Sequence, residues 1–292
     1  MKSFAPISRR LSASGSKMSQ AHVHTLVADL KHATWRARDI VAETSHLNIS
    51  PVPVKVVDRS RWIAGMSQSV RALLKRSGTE ITLSNTQIKT IGFMVARRVL
   101  GHWDPYADQP KMYLIGPNIA RFICEYNLNQ KDMALWVVIH EYTHAAQFAT
   151  APWLADYIGD LIRRVLTIQS ANIDTVIGQI TAVMSLLEGH ATYVSDLAYA
   201  YMSSPDHLAH AVKSSSRNNG ALARALKNIL GISAKEQQYR QGRAFVGAVV
   251  DAVGIDGLNK VWEDVHNVPT VNELHEPHLW VTRVHGEPGK EL

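Results

Sequence analysis

Cysteine is the first thing this chain has little of. Cys124 has no second cysteine to pair with, which excludes an intrachain disulfide and a cysteine-built zinc cage. Charge is sparse as well. Only 19% of residues are Asp, Glu, Lys or Arg against 46% hydrophobic, a balance that suits a folded chain with a large core and not a disordered one. Uninterrupted apolar runs are missing too. The most apolar stretch, 133–150, contains His140, Glu141 and His144, so no membrane span is expected. The sequence also lacks a G-x-S-x-G elbow, a Walker A loop and a Rossmann glycine fingerprint. These absences argue against serine hydrolase, P-loop and dinucleotide chemistry.

The net charge of +6 invites a polyanionic partner, but its location argues otherwise. The first twenty residues hold Lys2, Arg9, Arg10 and Lys17 and no acid, so the remainder carries only +2. That is too little for a nucleic-acid footprint, and no nucleic-acid partner is expected. The segment MKSFAPISRRLSASGSKMSQ is rich in Ser and Arg and lacks the apolar centre of a secretory signal. Residues 1–20 are therefore expected to be a disordered basic tail, and 21–292 a single cytoplasmic domain.

Periodicity makes the chain mainly helical. Apolar residues recur at three- and four-residue steps from Ala21 to about Ser45. In SPVPVKVVD, Pro51 and Pro53 forbid a helix while the valines favour extended backbone, and Asp58 can cap a helix from Arg59 to Lys75. Thr86 to Leu100 is again helical in period, GHWDPY supplies a turn around Asp104 and Pro105, and Lys111 to Ile115 reads as a short strand ended by Gly116 and Pro117. Lys131 to Thr150 has neither Gly nor Pro and is apolar around most of its circumference, the mark of a buried helix. Helices are expected at 153–170 and 174–202, with Pro205 as a stop. A linker follows at 214–220, then helices at 221–230, 234–253 and 255–265. The expected fold class is mainly α, with at most two or three short strands.

The buried helix reads WVVIHEYTHAAQF. His140 and His144 lie about 40° apart on one helical face and roughly 6 Å apart along the axis, so both imidazoles can reach one metal ion. Glu141 beside them can take a proton from a metal-bound water, the general-base role of a zincin motif. Accidental H-E-x-x-H matches are expected only about 0.02 to 0.03 times in a chain of this composition. Two histidines satisfied by core hydrogen bonds are the alternative, but that leaves costly polar groups in an apolar helix.

A catalytic zinc needs a third protein ligand and an open position. LLEGHATYVSD offers Glu188 or His190, which lie 200° apart on a regular helix and so do not both bind one ion. Glu188 is favoured because a second helix carrying a Glu after the HExxH helix resembles the gluzincin layout. His190, or a residue elsewhere, remains open as the ligand. Whichever of the pair is not bound becomes a candidate for orienting ligands or holding an oxyanion, as do Tyr193 and Asp196.

Several strings extend the likeness beyond the motif: VVDRSRW, RRVLGHWDPY, LIGPNI, HEYTHAAQFATAPWL, EGHATYVSD, QYRQGRAFV, GLNKVWED and PHLWVTRV. Together, from about residue 22 to 285, they resemble an actinobacterial family of zincin-like metalloproteases or hydrolases, one branch of which is associated with biosynthesis of the deazaflavin coenzyme. The resemblance implies a zinc-dependent hydrolase with a zincin-like metalloprotease core. It places zinc on His140 and His144, the base on Glu141, and the family's E-G-H-A block on Glu188 to Ala191. It also offers Tyr239 for oxyanion stabilisation. The basic tail has no counterpart in that pattern.

The expectation is therefore a zinc metallohydrolase, foremost a peptidase, with metal on His140, His144 and Glu188 and catalytic roles for Glu141, His190 and Tyr239. Its partner would be a peptide or small amide substrate. A small-molecule amide or ester hydrolase of coenzyme metabolism, and a non-catalytic protein merely stabilised by zinc, are the rival readings.

Overall fold

The structure, a computed structural model, describes residues 19–76, 85–167, 173–215 and 237–286. The expected tail is outside them up to residue 18. Ser19 is already an N-cap, its hydroxyl accepting from the His22 amide, and α1 (Gln20–Ser45) starts one residue earlier than expected. The rest of the linker beyond Ser215 and the helix expected at 221–230 are also outside the described residues.

After α1 come β1 (Val54–Val57), α2 (Arg59–Arg76) and α3 (Asn85–Ala96). β2 (Gly101–Asp104) and β3 (Lys111–Ile115) form a hairpin, and α4 (Gly116–Tyr126) follows directly. The central helices are α5 (Gln130–Thr150), α6 (Leu154–Thr167) and α7 (Ile173–Leu197). The described chain closes with α8 (Pro205–Ser215), α9 (Gln237–Asn259), α10 (Val271–His275) and α11 (Pro277–His285). The fold is mainly α with one small sheet, ordered β1-β3-β2. β1 runs parallel to β3, and β2 antiparallel to it with His102 opposite Tyr113.

Three local expectations are refined. The turn falls at Pro105 and Tyr106, right after Asp104, but GHWD before it is strand; all four residues of β2 are buried, so no alternation marks it. Gly116 and Pro117 end the strand but also begin α4, since a proline's missing N–H costs nothing in a first helical turn. Pro205 likewise opens α8. The continuity of α9 across Gly254 is nominal: that residue sits at φ 74, ψ 173 and breaks the helical path, as its place between two expected helices suggested.

α5 is the central post. Asn129 caps it by accepting from the amides of Lys131 and Asp132. Asp132 in turn accepts from the amides of Ser203 and Ser204, tying the start of α5 to the chain beyond α7. α1, α7 and β2 all pack on α5, which is why its residues are apolar on every side. α9 lies so close along α7 that a Cβ at Gly189 would meet the Gly242 carbonyl, and one at Gly242 would meet the Ser185 carbonyl. Gly189 thus serves backbone approach; it does not distort the helix that carries Glu188.

Candidate metal centre

Three ligand groups converge where α5 faces α7. One oxygen of Glu188 lies 3.5 Å from His140 Nε2 and the other 3.8 Å from His144 Nε2. The three donor atoms all fall within 4.8 Å of one another. The spacing suits a cation. Two ligands bound to zinc at about 2.0 to 2.1 Å in tetrahedral geometry stand roughly 3.4 Å apart, so the gaps between Glu188 and the two imidazoles match a shared ion better than direct hydrogen bonds. The pair of neutral nitrogen donors with one carboxylate also has the chemistry that zinc takes.

The two imidazoles are held differently. His140 stacks on Trp136, with ring centroids 5.8 Å apart, and its Nδ1 is buried without a hydrogen bond among the described residues. His144 Nδ1 donates to Gln147 Oε1 at 2.9 Å, which puts the proton on Nδ1 and leaves the Nε2 lone pair facing Glu188. The Gln147 amide nitrogen spends its two protons on the Leu187 carbonyl and on His190 Nδ1, both at 3.0 Å. Sequence reasoning passed over Gln147. Its signal is its place three residues after His144, on the same face of an otherwise apolar helix.

Electrostatics separate these groups further. Burial lowers His144 to about 4 against the opposing charge of Glu188, so it is neutral and ready to ligate. Burial also works to lower His140, but the Glu188 carboxylate facing it at 3.5 Å outweighs that and holds it above the ordinary value. Burial, helped by the charge of Glu188, lifts Glu141 to about 7 against the pull of His140 and the Trp103 amide.

Glu141 sits on the strand side of the site. Its Oε2 accepts from the Trp103 N–H at 2.9 Å, and its side chain fills the space where a Cβ at Gly101 would stand. Gly101, His102 and Trp103 join Glu141, the three ligands, Phe148, Met184 and Leu187 around a cleft of about 360 Å³. His102 Nδ1 accepts from the Trp62 indole at 3.3 Å, which assigns the imidazole proton to Nε2. Burial lowers its pKa despite Asp104, so the ring is a neutral donor. None of these strand residues was legible as part of a site, because only the turn around Asp104 and Pro105 was read there and the strand before it comes from pairing with β3.

His190 does not line the cleft. It is fully buried behind His144, packed against Trp262 with ring centroids 5.4 Å apart, and lowered to about 3 by burial and the nearby His144. Of the two roles expected of it, this position, reached through Gln147, suits orienting a ligand and not holding an oxyanion. Asp196 pairs with Arg243 at 2.8 Å, and Arg243 lies 4.6 Å over the Tyr193 ring, so both of those candidates face α9. Tyr239 falls in α9, but its side chain is outside the described residues.

A helix-borne His pair met by a glutamate from the next long helix, beside a short strand, defines a zincin-like protein. The chain belongs to the zincin-like metallopeptidase family, whose sequence profile matches residues 79–176 and 165–281. It is also similar to a crystal structure of a candidate hydrolase with a novel fold from Chloroflexus aurantiacus. The two are 27% identical with a TM-score of 0.76, over 95% of this chain and 96% of that one. No curated protein matches the sequence. No helix of the described residues is long and apolar enough to cross a membrane.

Proposed function

We propose that the protein is a zinc-dependent hydrolase of amide bonds, foremost a peptidase, and that His140, His144 and Glu188 hold the metal. The observation that carries this reading is the joint placement of Glu141 and the three ligand groups around one cleft. A zinc ion held there supplies Lewis-acid polarisation of a carbonyl and a more acidic water.

The protein's own residues do the rest. Glu141 is the base: the Trp103 amide fixes one of its oxygens and leaves the other for a proton from water. Burial raises its pKa, which makes it a better proton acceptor than a solvated carboxylate. His102 supplies a neutral N–H donor from the strand wall for the carbonyl oxygen on which charge develops. Gln147 keeps His144 in the ligating tautomer.

A small-molecule amide or ester as substrate is a second reading, favoured by the short lining of the cleft, which α5, α7 and β2 supply among the described residues. The non-catalytic reading requires a metal closed by four protein ligands, and the cluster among the described residues has three.

Elemental mass spectrometry on purified wild type, His144→Ala and Glu188→Ala tests the metal. Near-stoichiometric zinc is expected in wild type and a loss in both variants. Glu141→Gln, assayed on a peptide mixture and a panel of small amides, should keep zinc and lose at least about a hundredfold in turnover. Full activity in Glu141→Gln would refute the mechanism.

A further inference from the structure

The cleft is chemically one-sided. Phe148 follows His144 by four residues and Met184 precedes Glu188 by four, so each stands about one turn, roughly 5 to 6 Å, beyond a ligand on the same face of its helix. Leu187 is the neighbour of Glu188. These three side chains form a continuous apolar wall next to the ligand groups. Met184 and Leu187 are each 1% exposed, whereas Phe148 is half-buried and forms the accessible rim. On the other side of the His pair, Trp136 lies one turn before His140 with its ring stacked on the imidazole.

Among the described residues no Lys or Arg lines the cleft, and its two acids are the ones already engaged, Glu188 with the imidazoles and Glu141 with Trp103. A charged group placed against Phe148, Met184 and Leu187 would lose its hydration against side chains that offer no counter-charge. An apolar group there would instead shed its own hydration, and the flexible thioether of Met184 can adjust to its shape.

We infer that the substrate places an apolar side chain against Phe148, Met184 and Leu187, beside the bond to be cleaved. This deepens the hydrolase reading above and rests on its metal site.

The test uses the full chain loaded with cobalt(II), whose visible absorption reports ligands arriving at the metal without any turnover. Straight-chain hydroxamic acids from acetohydroxamate to hexanohydroxamate are titrated in. Affinity is expected to rise about fourfold per added methylene, the gain for burying one such group. In Phe148→Ser that gradient should fall below about twofold per methylene while acetohydroxamate binds as in wild type, and Phe148→Leu should restore most of it. A flat series in the wild type, with acetohydroxamate bound, overturns the inference and leaves the metal site standing. Failure to bind cobalt or acetohydroxamate at all overturns the metal reading, and this inference with it.

Discussion

Gln147 Oε1 accepts a hydrogen bond from His144 Nδ1 at 2.9 Å, and the same amide reaches His190 Nδ1 with its nitrogen. One buried side chain therefore sets the tautomers of two histidines, one at the metal centre and one behind it. Gln147→Leu removes the acceptor and leaves His144 free to turn or to place its proton on Nε2. Zinc affinity should drop ten- to a hundredfold, the usual cost of losing an outer partner of a ligand. A competition titration against a chelating dye measures it, with circular dichroism to check the fold. Wild-type affinity in Gln147→Leu would remove Gln147 from the site.

Gly101 gives Glu141 its room. A methyl group at residue 101 would occupy the space of the Glu141 Cγ and Oε1. The obstructed atoms belong to the far end of a side chain and not to backbone, so Gly101→Ala should fold. It should displace the carboxylate and lower turnover at least tenfold with zinc content unchanged. Equal turnover would mean that Glu141 does not need its observed position.

The contact of α7 with α9 is between backbones, where nothing can yield cheaply. Gly242→Ala would drive a methyl group into the Ser185 carbonyl, and Gly189→Ala one into the Gly242 carbonyl. Either should cost about 2 kcal/mol or more through overpacking. Because α7 carries Glu188, metal affinity should fall in parallel. Urea unfolding of the apo protein gives the first quantity and dye competition the second. An unchanged urea midpoint in both variants would show that the two helices can separate without loss.

Acid should expose the Glu273–Arg283 pair. Both guanidinium contacts are short, at 2.6 and 3.0 Å, and the Thr270 amide also donates to the carboxylate. Burial works to raise Glu273, but Arg283 and Thr270 outweigh it and hold it below the usual range. A carboxyl lowered by folding adds stability that is complete above its unfolded value of about 4.3 and is lost as pH falls through the lower folded one. Arg283→Leu should therefore melt below wild type at pH 7, and the gap should narrow below about pH 4 to what the guanidinium's bonds to the His266 and Val268 carbonyls contribute. A gap independent of pH would assign the loss to those bonds and to packing, not to Glu273.

Much of this molecule is legible from residue order because its signals are local. HEYTH puts two imidazoles and a carboxylate on a helix by the 3.6-residue repeat, and the absence of Gly and Pro from 131–150 keeps that helix whole. The mainly helical fold follows from the same repeat. The 200° between Glu188 and His190 excludes joint ligation before any contact is known.

What tertiary structure alone decided is which faces meet. Rotation of α7 against α5 turns Glu188 toward the His pair and buries His190 behind Gln147. β2 is four buried residues without alternation, and its strand character comes from pairing with β3. That pairing delivers the Trp103 amide to Glu141 and His102 to the cleft across some forty residues of chain. A helix repeat is enforced by each residue's own backbone, so sequence suffices to see it. A cleft is enforced by contacts between segments whose separation in sequence carries no information about their distance in space.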